Sequence, residues 1–202
     1  MQVSPERAPF SRTYEDGAPQ VVWTTLVADL ETPVSAMMKL AERRANSFLL
    51  ESVEGGSVRG RFSIIGLRPD VIWRFKKKQA EINRQARIDP HAFEPCPEDP
   101  LTSFRSLLAE SEIDLPEGLP PMASGLFGYM GYDAVRLAER IPDENPDDLG
   151  VPDGLFLRPT VICIFDRLED VVTIVTPVRP SEGMSAEAAY DAARTLLADV
   201  LQ

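Results

Sequence analysis

The chain has 202 residues, 44% of them hydrophobic and 18 of them proline, with 21 basic against 32 acidic side chains for a formal net charge of −11. That length predicts one domain burying roughly 70% of its unfolded surface, and an ordinary apolar share excludes disorder as the reason for the prolines. The acidic balance opposes a phosphate-binding surface, so nucleic acid is not expected as a partner.

Cys96 and Cys163 lie far apart without CxxC spacing, and His91 is the one histidine, which argues against any usual zinc arrangement and reads both cysteines as free thiols. Residues 1–20 are polar, with Pro5, Pro9, Gly17 and Pro19, and read as an N-terminal arm partly ordered by its neighbours. The arm lacks an apolar core for secretion, and no run of about 18 apolar residues occurs, which predicts a soluble, cytoplasmic protein without a membrane span. Residues 21–28, VVWTTLVA, are rich in β-branched side chains and read as a strand. Thr32 then supplies an N-cap and Pro33 a first-turn proline. In the helix that follows, Val34, Met37, Met38 and Ala41 are expected against a sheet, with Lys39, Glu42, Arg43 and Arg44 mostly on the other side.

Residues 47–66, SFLLESVEGGSVRGRFSIIG, read as a β-hairpin, because apolar arms flank a Gly-rich connector in which Gly55-Gly56 can take positive φ. Strand alternation puts Phe48, Leu50 and Ser52 on one face and Leu49 and Glu51 on the other, so a carboxylate and a hydroxyl close an otherwise apolar arm. Polar strand ends commonly mark emergence into solvent. The sharper reading is a small-ligand pocket in which Glu51 accepts from an ammonium group and Ser52 donates and accepts.

Residues 70–75 and 79–83 read as further strands, joined by Lys76, Lys77 and Lys78; a solvated turn is the expected use of these lysines, an anion site the alternative. Residues 84–99 read as a polar, proline-rich loop. Asp99 and Pro100 restart a helix whose apolar face is Leu101, Phe104, Leu107 and Leu108. A linker, IDLPEGLPP, leads to ASGLFGYMGYDAVRLAE, residues 123–139. Gly125, Gly128 and Gly131 fit neither GxGxxG nor GxxxxGK[ST] and predict a curved, closely covered strand, with Asp133 capping a short helix. After a second acidic loop, residues 142–153, residues 157–168 and 171–178 read as two central strands. Ser185 opens a last helix lined by Ala189, Ala192, Ala193, Leu196, Leu197 and Val200.

LLES at 49–52, GRFSIIG at 60–66, GLFGYMGYDAVR at 125–136 and the strand pair ending in IVTPV together resemble the N-terminal region of anthranilate synthase component I, in order and over about residues 21–202. The resemblance implies a mostly antiparallel α+β domain with helices packed on an outer face, part of a layered α/β/β/α sandwich in the full enzyme. It implies domain boundaries of 1–20 for the arm and 21–202 for the component I N-terminal domain, and an N-terminal fragment or domain of a longer protein. That enzyme makes anthranilate and pyruvate from chorismate with Mg2+ and ammonia from a glutamine amidotransferase component. The catalytic and metal-binding residues of the family lie in a C-terminal chorismate-binding half, so none is expected here and the chain alone is expected to be inactive.

In members inhibited by L-tryptophan, this region supplies part of the effector pocket. The resemblance then places Glu51 at the effector's amino group, Ser52 as a polar contact and Leu50 as an apolar or backbone contact, with Arg61 a weaker candidate. The chain's own C-terminal half is the expected partner for the other wall. Three alternatives share these residues: the large component of aminodeoxychorismate synthase, a non-catalytic amino-acid-binding module, and a structural interaction domain that forms a homo-oligomer.

Overall fold

The computed structural model describes residues 2–41, 45–52, 60–144 and 146–201. Chain order runs α1 (Arg7–Glu15), β1 (Gln20–Val27), α2 (Pro33–Leu40), β2 (Phe48–Leu50), β3 (Phe62–Leu67), β4 (Val71–Lys76), β5 (Gln79–Asn83), β6 (Glu94–Pro95), α3 (Pro100–Ser111), β7 (Phe127–Met130), β8 (Gly154–Arg158), β9 (Val161–Asp166), β10 (Val171–Val178) and α4 (Ala186–Val200). All strand pairs between these elements are antiparallel, and the class is α+β, as the sequence predicts. Where length alone led to one domain, the chain divides into two compact units built from separate segments: residues 1–68, 113–124 and 160–202 in the first, 69–112 and 125–159 in the second.

In the first unit the strand order is β1-β10-β9-β3-β2. Opposed residues of an antiparallel ladder share a face, so Val22, Ile174, Cys163 and Ile65 line one side, where they form a core with α1, α2 and α4. Cap chemistry explains where two of those helices start. The Thr32 hydroxyl accepts from the Ser35 N–H while the Ser35 hydroxyl accepts from the Thr32 N–H, and the Ser185 hydroxyl accepts from the Ala188 N–H.

The arm expected over residues 1–20 is a structural part of this unit. Phe10 and Tyr14, one helical turn apart on α1, are buried; the Phe10 ring lies 5.0 Å from that of Tyr190 on α4, and Ser4 pairs with Trp23 beyond the edge of β1. Three prolines and a polar composition hid a helix that needs only this apolar pair. The buried stripe of α2 is also rotated from expectation: Ala36 is buried and Met37 and Leu40 pack on the core, while Val34 and Met38 face outward. Either stripe is apolar enough, and the sheet selects one. On α4 the buried set gains Tyr190 and loses Ala192.

In the second unit the order is β6-β5-β4-β8-β7. Val71, Trp73 and Phe75 of β4 pack with Leu107 and Phe104 of α3, and the buried indole N–H of Trp73 donates to the Ser103 hydroxyl at 3.1 Å. Asp99 caps α3 by accepting from Leu101 and Thr102, although Leu108 of the expected apolar face is exposed. The run 157–168, expected as one strand, is two: β8 ends at Arg158 and β9 begins at Val161 in the other sheet, the break falling at Pro159, which cannot donate to a ladder. Asp133 does not cap: it lies inside a 3-10 turn, Tyr132–Leu137, and pairs with Arg136.

Candidate functional site

The hairpin arms form as predicted, with Phe48, Leu49 and Leu50 opposite Gly66, Ile65 and Ile64; the connector, with Gly55 and Gly56, lies outside the described residues. A Cβ on Gly66 would stand 2.2 Å from the Phe48 ring, so the glycine admits that ring and favours this register. Leu49 packs on the first unit's core, whereas Leu50, the last residue of β2, is 50% exposed. Glu51 and Ser52 follow immediately, beyond the ladder.

Glu51 is not open to solvent alone. The Arg167 guanidinium Nη2 donates to Glu51 Oε1 at 3.0 Å, with side-chain exposures of 45% and 28%. Arg167 stands in the turn joining β9 to β10, and Asp166 shapes that turn by accepting from the Leu168 N–H at 3.0 Å and the Glu169 N–H at 3.4 Å. Arg61 holds Asp166 in place: its Nε lies 2.8 and 2.9 Å from the two carboxylate oxygens and its Nη2 2.5 Å from Oδ2. The Arg61 bond holds the Asp166 carboxyl below the ordinary carboxylate range and raises Arg61 in return. The Arg167 N–H also donates to the Arg61 carbonyl at 3.0 Å. Glu169 Oε1 stands 3.9 Å from Arg61 Nη2, so three carboxylates and two guanidiniums meet where the β2–β3 arms approach the β9–β10 turn. One residue beyond Ile64 on β3, Ser63 is fully buried, and its hydroxyl has no hydrogen-bond partner among the described residues.

The structure thus places Leu50, Glu51 and Ser52 consecutively at the free end of an edge strand and brings Arg61 to their neighbourhood through Asp166 and Arg167. Sequence reasoning missed Asp166 and Arg167, which lie 105 and 116 residues from the groups they bind. No local pattern points to them; only the pairing of β3 with β9 brings them near.

Elsewhere, among the described residues, two charged clusters pair internally. Lys76 pairs with Asp147 at 2.7 Å and Lys77 with Asp143 at 3.0 Å, so the acidic loop neutralises two of the three lysines and opposes the anion-site reading. Arg158, 7% exposed, binds Asp70 through two nitrogens and Glu110 through a third, and Glu110 also binds Arg84. The Arg84 bond chiefly holds the Glu110 carboxyl below its ordinary range. Burial pushes the Cys163 thiol up to about 12, far from a nucleophile at neutral pH. Among the described residues no three His, Cys, Asp or Glu side chains group to hold a metal ion, and no helix is long and apolar enough to cross a membrane.

No protein-family model matches the chain. Among curated proteins it is similar to anthranilate synthase component 1 of Cereibacter sphaeroides, 49% identical over 96% of this chain and 39% of that protein. It is also similar to the proteins of that name from Thermus thermophilus, 41% identical over 80% of this chain and 33% of the relative, and from Pseudomonas aeruginosa, 35% identical over 97% and 39%. The chain therefore spans between a third and two fifths of the length of these relatives. The solved structure of anthranilate synthase component I from Streptococcus pneumoniae TIGR4 matches 88% of this chain and 36% of its own with a TM-score of 0.56 at 22% identity, a likeness of fold.

Proposed function

We propose that the chain belongs, over the part it spans, to the anthranilate synthase component I family, that it is the regulatory N-terminal region of such an enzyme, and that Leu50, Glu51 and Ser52 bind L-tryptophan as a feedback effector. The observation that carries this reading is Glu51: a carboxylate at the end of an edge strand, its side chain 28% exposed, already holding a cation, beside a hydroxyl and a half-exposed leucine. A carboxylate in that setting accepts from the ammonium of an amino acid, Ser52 offers a donor and an acceptor, and Leu50 an apolar surface.

The whole enzyme of this reading converts chorismate and ammonia, delivered by a glutamine amidotransferase component, to anthranilate and pyruvate. Its catalytic residues and its Mg2+ belong to the part that this chain does not span; the described residues here do not fit a metal. Tryptophan regulates by binding one conformational state of that enzyme better than another. The names of the relatives favour this reading over an aminodeoxychorismate synthase. Calorimetric titration of a longer protein that includes the C-terminal half with L-tryptophan tests the site: saturable binding is expected, lost in Glu51→Ala and Ser52→Ala, and affinity unchanged from wild type in both variants would sink it. With chorismate, magnesium and ammonium the chain alone is expected to yield no anthranilate fluorescence.

A further inference from the structure

We infer that Arg167 is a tethered competitor of the effector: its guanidinium occupies Glu51 in the free protein and has to be displaced before a ligand ammonium binds there. The inference rests on the effector reading of Glu51 and adds what sets its affinity. Three features of the geometry carry it.

The first is that the two cation sites coincide. Arg167 Nη2 lies at hydrogen-bond distance, 3.0 Å, from Glu51 Oε1. An ammonium seated on the same carboxylate would stand beside a second cation, and the repulsion between the two favours whichever binds alone. The second is that the competitor is held in place by its backbone and free at its head. The Arg61–Asp166 pair and the bond from the Arg167 N–H to the Arg61 carbonyl fix where residue 167 leaves the sheet, while the Arg167 side chain keeps 45% of its surface exposed. A displaced guanidinium therefore swings into water without disturbing β9 or β10. The third is the contrast between neighbouring pairs. Asp166 is 11% exposed and gathers three bonds from Arg61, whereas Glu51 receives a single bond from a more exposed arginine. Of the two carboxylates, Glu51 is the one whose counter-ion exchanges cheaply.

Exposed ion pairs are weak, so the expected competition is modest: removing it should tighten tryptophan binding by about two- to fivefold. The test is an NMR titration of the full-length protein, in which this chain is joined to its C-terminal half, as wild type, Arg167→Gln, Arg167→Lys and Glu51→Gln, with L-tryptophan and with indole-3-propionate, which lacks the amine. Arg167→Gln is expected to bind L-tryptophan more tightly and indole-3-propionate unchanged, and Arg167→Lys to stay near wild type. If Glu51→Gln loses L-tryptophan while Arg167→Gln leaves its affinity unaltered, the competitor role fails and the site stands. Weaker binding of both ligands by Arg167→Gln would make the arginine a ligand contact and also overturn the inference. Saturable shifts in none of the four proteins would remove the site itself, and the inference with it.

Discussion

A Cβ on Gly128 would stand 1.9 Å from the carbonyl oxygen of Leu155, in the strand that pairs with it. The obstacle is backbone, so no rotamer relieves it. Gly128→Ala is expected to push β7 from β8 and to cost about 1–3 kcal/mol. Trp73, buried in the same unit, reports this if Trp23 is replaced by Phe: the denaturant midpoint read from its fluorescence should fall. An unchanged midpoint would show that β7 makes no stable pairing there.

Phe10 is completely buried between β1 and α4, although it lies in the stretch that reads as a polar arm. Truncation to Ala leaves a cavity that the rings of Tyr14 and Tyr190 cannot fill, and the expected cost is about 3–5 kcal/mol. Unfolding followed by Trp23, with Trp73 replaced by Phe, checks it. A loss below about 1 kcal/mol would mean that α1 rests on the unit without stabilising it.

Acid should act through Glu110 and Asp166. Arginine bonds hold both carboxyls below their ordinary values of 4.5 and 3.8, so the folded chain binds fewer protons than the unfolded one at these groups. The stability they contribute is therefore complete above about pH 4.5 and is lost as pH falls through the lowered folded values. In Glu110→Gln the decline of the unfolding midpoint between pH 5 and pH 3 is expected to be shallower than in wild type. An identical decline would exclude the Arg84–Glu110–Arg158 cluster as an acid-sensitive element.

Local chemistry was legible. Thr32, Asp99 and Ser185 cap where a short polar side chain before an apolar stripe says a helix starts, and the arms around Leu50 and Ile64 pair as their composition demands. Two kinds of fact were not. The choice between two equally apolar stripes of α2 depends on where the sheet lies, so Met38 pointed the wrong way. Arg167 reaches Glu51 only because β9 pairs with β3, and nothing near either residue encodes that distant partner. The Glu-Ser pair itself was conspicuous in sequence; the cation that answers it was not.

Strand β1, residues 20–27, pairs with β10, residues 171–178. On a ribosome adding about 5–20 residues per second, its partner appears roughly 7–30 s later. Until then Val21 and Val22, both destined for the interior, sit on an unpaired edge in the nascent chain. The whole of the second unit is synthesised within that interval. Of the strands named above, the first to leave the exit tunnel is thus among the last to be secured, and apolar substitutions in β1 should govern yield more than final stability.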